Sequence, residues 1–223
     1  MKPASRPSGP RLRLAALLLC SAGPLAAQAS DHGLLVIRQQ GREVGQEVFV
    51  RRWGPPGTPE SLSTTASYPR TRPTVELMAT LRRPGLRDAT FQLERRQPGG
   101  AVFHYAVLAG HRLTVRRVER GGERASEYPA HGPVVLLADS VLALYAQIVS
   151  LAGQGDLIAI FPATGQRIGF ALDCAPSGRD GGGAGGQVCR LSGGLSGEVE
   201  VGPDGRLLRV SLPARGVEAL RKD

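Results

Sequence analysis

Aromatic side chains make up only 4% of the 223 residues, and that scarcity excludes one architecture at once. A membrane-spanning β-barrel carries aromatic girdles and an apolar outer band, which so few rings cannot furnish. Histidine is thin as well: His32, His104, His111 and His131 stand singly, with none of the spacing that zinc sites use. No metal or cofactor is therefore expected. His104 alternates with Phe103 and Tyr105, so it is expected to point off the apolar face of its strand. Lysine is nearly absent, and the arginines are scattered among glutamates rather than run together, which reads as a solvated basic surface and not as a nucleic-acid site. Neither the apolar run 14–19 nor the expected helix within 138–152 supplies the roughly 20 residues of a membrane helix. An integral membrane protein is not expected.

What is present begins with a leader. Lys2, Arg6, Arg11 and Arg13 lead into and flank the start of the apolar run 14–19, and Ala27-Gln28-Ala29 then offers small residues where a signal peptidase reads. Residues 1–29 are expected to be a cleaved secretory signal peptide, with cleavage after Ala27 as the second choice. Leu19 just before Cys20 argues against a lipid anchor on that cysteine. The rest, 30–223, is long enough for one β-rich domain, soluble or peripheral, in a periplasm or outside the cell. Its charge falls from +9 to about +5 when the four basic residues of the leader leave. Of three cysteines, Cys20 leaves too, and Cys174 and Cys189 form an even pair in an oxidising compartment, where a disulfide is expected. It would staple a hairpin around the loop "APSGRDGGGAGGQV"; closing a loop of that size stabilises by about 3 kcal/mol.

From Gly33 onward, short apolar or alternating runs are broken by turn residues in the rhythm of an antiparallel sheet. "LLVIRQQ" and "EVFVRRW" read as a hairpin, "WGPPGTPESLS" as a loop, and "TVELMATLRR", "ATFQLERRQ", "AVFHYAVLA" and "HRLTVRRVER" as a meander. Residues 138–152 break the rhythm. Val141, Leu144, Tyr145, Ile148 and Val149 recur at helical spacing, Asp139 is placed to cap the helix and Gly153 to end it. The opposite side offers only Ser140, Gln147 and Ser150 as polar groups, so this helix is apolar nearly all round and must be buried in protein. Five more strand-like runs follow, ending in the hairpin "GEVEVGPDGRLLRVSLPA". The expected fold is mainly β: a curved antiparallel sheet, a half-barrel or open barrel of roughly ten strands wrapped around one apolar helix.

Chemistry-bearing motifs are few. Gly181, Gly183 and Gly186 spell G-x-G-x-x-G, but no helix follows whose N-terminus would hold a phosphate. "GLSGE" lacks the glycine that a nucleophile elbow needs two residues after Ser196. Glu198 and Glu200 face the same way on a strand, as a catalytic pair would, yet Arg206 and Arg209 on the next strand make a solvent-side charge ladder the simpler reading. No arrangement points to an enzyme.

The order of features carries more. A G-x-x-x-G first hairpin, a meander, the "ADSVLALYAQI" helix headed by Asp139 and the closing "GEVEVGPDGRLLRVSLPA" hairpin resemble exported, uncharacterised bacterial domains whose curved sheet is similar to that of the lipoprotein carriers LolA and LolB. The resemblance implies a half-barrel closed by the helix, with an apolar hollow able to take acyl chains. The leading expectation is binding of a lipid or other apolar ligand between sheet and helix, lined by Leu144, Tyr145, Ile148, Phe161 and Phe170. The alternative is an envelope scaffold with a dry core that binds a protein partner; a hydrolase ranks third.

Overall fold

The computed structural model describes residues 30–53, 59–71, 74–83, 87–177 and 185–222. The expected leader, and Gly181 and Gly183 of the glycine-rich loop, lie outside the described residues.

Fifteen strands follow one another: β1 (Ser30–Gln39), β2 (Arg42–Trp53), β3 (Pro59–Tyr68), β4 (Val75–Arg82), β5 (Asp88–Gln97), β6 (Gly100–Ala109), β7 (Arg112–Glu119), β8 (Gly122–Pro129), β9 (Val134–Leu136), β10 (Leu157–Phe161), β11 (Gln166–Pro176), β12 (Gln187–Gly193), β13 (Gly197–Val201), β14 (Leu207–Leu212) and β15 (Val217–Lys222). They form a single open sheet in the order β8-β7-β6-β5-β4-β3-β2-β1-β15-β14-β13-β12-β11-β10-β9. Mainly β is thus right, but the count exceeds the expected ten or so: β3, β8, β9 and β15 were not read as strands. Pairing is antiparallel except between β9 and β10, which run parallel. The first and last strands, β1 and β15, are neighbours in mid-sheet. The two edge strands, β8 and β9, are joined by residues 130–133 alone.

Alternation along the strands places one set of side chains in the core. On β5 these are Ala89, Phe91 and Leu93, on β6 Ala106 and Leu108, on β7 Leu113 and Val115. His104 belongs to this inner set, opposite Leu93, and is 6% exposed; both ring nitrogens lack a hydrogen-bond partner. The expected outward direction was wrong by one position of the pleat, because it is the inner faces of Ala106 and Leu108 that share its parity. Burial first, and the nearby Arg117 cation second, push its pKa down, so the ring is neutral.

Cys174 and Cys189 sit directly across from each other on β11 and β12 and are joined by a disulfide. Of the expected ladder, Arg209 does approach Glu198, at 3.9 Å, but it bonds Glu218 more closely at 2.7 Å, Glu198 is also paired with Arg190 at 3.2 Å, and Arg206 pairs with Asp204.

The apolar stretch does form a helix, but a shorter and tighter one than its periodicity suggests. Residues Ala143–Leu151 make a 3₁₀ helix whose Ala143, Leu144, Tyr145, Ala146, Gln147, Ile148 and Leu151 are buried. It is long for its type, and side chains support the i−3 pattern: Gln147 Nε2 donates to the Leu144 carbonyl and Ser150 Oγ to the Gln147 carbonyl. Asp139 does not cap it. No local side chain does; Asp139 instead pairs with Arg215 at 2.7 Å, and Ser140 turns the chain with φ 65°. At the far end Gly153, φ 80°, completes a turn in which the Gln154 N–H donates to the Leu151 carbonyl. The helix touches β3, β9, β13 and β14.

Candidate functional site

The helix N-terminus is capped from the sheet. Along β2 the inner positions are Gly45, Glu47, Phe49 and Arg51, all buried, whereas Val48 is 58% exposed. Glu47 is fully buried. The N–H groups of Leu142 and Ala143 donate to it at 2.7 and 3.1 Å, and the Thr64 hydroxyl of β3 donates at 2.6 Å. Two of the helix's orphan donors are thereby satisfied by a residue 95 positions away in sequence. Burial pushes the Glu47 carboxyl up to about 7 in spite of these three donors, which pull the other way. Thr64 fits both charge states. Its single proton also has the Val48 carbonyl within 3.1 Å, so a protonated Glu47 can donate to Thr64 while Thr64 turns to Val48.

Deeper along the helix a second polar cluster holds it. Gln147 Nε2 also donates to the Leu136 carbonyl at 2.8 Å, and Arg83 donates to the Val134 carbonyl and to Gln147 Oε1. Burial lowers the Arg83 pKa to about 10, which leaves it charged.

Beside the capped N-terminus lies a cavity of about 470 Å³. Its apolar walls are Ile37, Val44, Val75, Leu77, Leu142, Tyr145, Leu212 and Val217, and its polar rim is Gln39, Tyr68, Thr71, Arg95, Asp139, Ser140 and Arg215. These come from the strand ends of β1 to β5, the turn before the helix, the helix's first turn, and the β14 to β15 connection. The size and the mix of apolar wall with a few polar groups match small-molecule sites. Tyr68 is fixed by donating its hydroxyl to the Ser140 carbonyl, and its pKa is raised by burial and by the charge of Glu47. The Arg215 guanidinium bonds Asp139 and lies 5.4 Å from the centre of the Phe161 ring.

Gly45 makes room for the Tyr68 wall: a Cβ there would lie 2.5 Å from the Ser67 carbonyl oxygen and 2.8 Å from the Tyr68 ring. Gly45→Ala is expected to cost roughly 1–3 kcal/mol, as other overpacked sites do, and to displace the Tyr68 ring. Urea denaturation and the near-ultraviolet circular dichroism of the tyrosines check the two effects.

Of the residues expected to line a pocket, Tyr145 does border this cavity. Leu144 and Ile148 are fully buried one and three positions along the helix, Phe161 ends β10 beneath Arg215, and Phe170 is buried on β11 opposite Leu157. The structure therefore brings Tyr145 to the cavity, with Phe161 adjacent, and places the other three in the core. Sequence reasoning passed over Glu47, Arg95 and Arg215. No pattern marked the first: in "GQEVFVRR" the more apolar parity is that of Val48 and Val50, whereas Glu47 shares the buried parity of Phe49.

Among the described residues no helix is long and apolar enough to cross a membrane. Comparison of the chain with known family models, with curated proteins and with solved structures finds no match in any of the three.

Proposed function

We propose that this protein is an exported, soluble or peripheral envelope protein that holds an apolar or amphiphilic guest, such as a lipid, in the cavity between the sheet and the N-terminal turn of the helix. The single observation that carries the reading is the 470 Å³ cavity with its mostly aliphatic wall and polar rim at one end of the strands. The disulfide between Cys174 and Cys189 is compatible with export.

The reading includes a sheet wrapped round the helix, as in a half-barrel carrier. Three observations support it. One helix touches β3 on one side of the β1–β15 joint and β13 and β14 on the other. The outermost strands, β8 and β9, are only residues 130–133 apart along the chain. A Cβ on Gly165, in the turn after β10, would lie 2.6 Å from the hydroxyl of Tyr128 on β8, a close approach between the two ends of the strand order that fits a wrapped sheet.

A second reading, a binding module for a protein partner, is favoured by the outer face, where Val48, Val107 and Tyr105 are 58%, 50% and 38% exposed. One experiment separates the two. The protein is expressed with its own leader in a bacterial envelope, purified without detergent, extracted with organic solvent and the extract weighed by mass spectrometry. A stoichiometric lipid is expected, and Val75→Trp, which fills the cavity from its half-buried wall, should reduce the yield about tenfold. An empty extract from folded protein that also takes up no alkyl-chain fluorophore sinks the guest reading.

A further inference from the structure

Resting on that reading, we infer that the guest is a single-chain amphiphile with an anionic head, its tail against Ile37, Val75, Leu77 and Leu142 and its head at Arg95.

Arg95 is exposed at the end of β5 on the rim of the cavity. It shares the parity of Ala89, Phe91 and Leu93, the buried inner residues of β5, and stands directly across from the wall residue Leu77. The pleat thus delivers a guanidinium to the mouth of an apolar cavity. Its neighbour Arg96, of the opposite parity, is engaged with Glu94 and Glu76 on the outer face. Arg95 itself makes no ion pair among the described residues. The rim's other charges cancel: Asp139 and Arg215 bond each other at 2.7 Å. The lining therefore carries a net charge of one positive unit, located on Arg95.

A second observation comes from the wall. Tyr145 is 1% exposed, and its hydroxyl has no hydrogen-bond partner. A buried hydroxyl left unpaired is unfavourable, so a polar atom of a guest that reaches it is met by a donor without a partner. Burial pushes its pKa up to about 12, with Arg215 and Asp139 close enough to act on it in opposite directions; the phenol stays protonated and offers its O–H. An unpaired guanidinium with its fork of donors and a protonated phenol suit a carboxylate or phosphate monoester, and repel an ammonium.

The test is calorimetric titration of the purified, delipidated protein, below micelle-forming concentrations, with dodecanoate, dodecyl phosphate, monododecanoyl glycerol and dodecyltrimethylammonium. The two anions are expected to bind at least tenfold more tightly than the neutral and cationic chains, and their ratio tells carboxylate from phosphate. Arg95→Gln should remove the preference while leaving the neutral chain's affinity unchanged. Tyr145→Phe should weaken the anions about threefold without lowering the unfolding midpoint. Equal binding of all four chains, or an anion preference that survives Arg95→Gln, overturns the inference and leaves the apolar site standing. Binding of inorganic phosphate as tight as that of dodecyl phosphate also overturns it, since no tail would then be held. If none of the four chains binds, the guest reading itself fails.

Discussion

Raising the pH from 4.5 to 7 is expected to withdraw about 3 kcal/mol of folding stability through one side chain, Glu47. In the unfolded chain this carboxyl ionises near its ordinary value, whereas in the fold it keeps its proton until about pH 7. Between the two the folded state holds more protons than the unfolded state, so stability falls as pH rises. Below pH 4.5 both states are protonated and nothing is lost; above 7 the full loss has been taken. His104 acts oppositely. Its pKa is depressed in the fold, so its contribution is missing in acid and returns as pH rises through the unfolded histidine value. Urea titrations of the natural chain and of Glu47→Gln across this range separate the two groups. The natural chain's advantage over the variant should shrink by about 3 kcal/mol from pH 4.5 to 7, and the variant alone should gain stability with pH. A constant difference between the two proteins would mean that Glu47 ionises normally in the fold.

Asp31→Ala is expected to cost roughly 3–5 kcal/mol, the range for breaking a buried ion pair from one side. Asp31 is 1% exposed at the start of β1. Its Oδ1 pairs with Arg221 of β15 at 2.9 Å and its Oδ2 accepts the Leu207 N–H of β14 at 3.1 Å. Arg51 of β2, which burial lowers to a pKa of about 10, is held up by the same carboxylate. Removal leaves two guanidiniums, of Arg51 and Arg221, without their shared anion and the Leu207 N–H without its acceptor. The loss should appear as a lower denaturation midpoint with an unchanged slope. Asp31→Asn keeps one acceptor oxygen and should fall in between; a midpoint unmoved by either change would show that the network does not hold the four strands.

Much of the sheet was legible because its strands alternate bulky apolar residues with polar ones. The first hairpin, the meander and the last hairpin all follow that rule. Those that escaped break it, each for its own reason. On β3 the inner residues Leu62, Thr64, Ala66 and Tyr68 are mostly small or hydroxylic, because Thr64 serves Glu47 and the helix crowds this face. β8 is an edge strand whose residues are nearly all exposed, so it has no face to display. β9 is three residues inside a continuous apolar run, where periodicity cannot mark a boundary. The sharpest inversion is on β2, where the valine at 48 faces water and Glu47 and Arg51 face the core. A period-two pattern tells which residues share a face, but not which face is inside when charges have buried partners from distant strands. For the same reason the sequence points to Asp139, the nearest carboxylate, as the cap of the helix, whereas the cap is Glu47.

The pairing of β1 with β15 fixes how this molecule can assemble. The segments β1–β8 and β9–β15 are each chains of neighbouring strands except at this one seam, where Leu34 to Gln39 align with Lys222 to Val217. Local hairpins can zip within either segment as soon as their residues are available, but the joint closes a loop almost as long as the described chain. Such non-local pairing is slow, because the closure entropy is met before most of the contacts that reward it. The seam is expected to form late in folding. Deleting β15 should leave β1–β8 and β9–β14 without strand pairing between them, joined only through the helix and its contacts to β2, β3 and Arg83, with Asp31 stripped of Arg221.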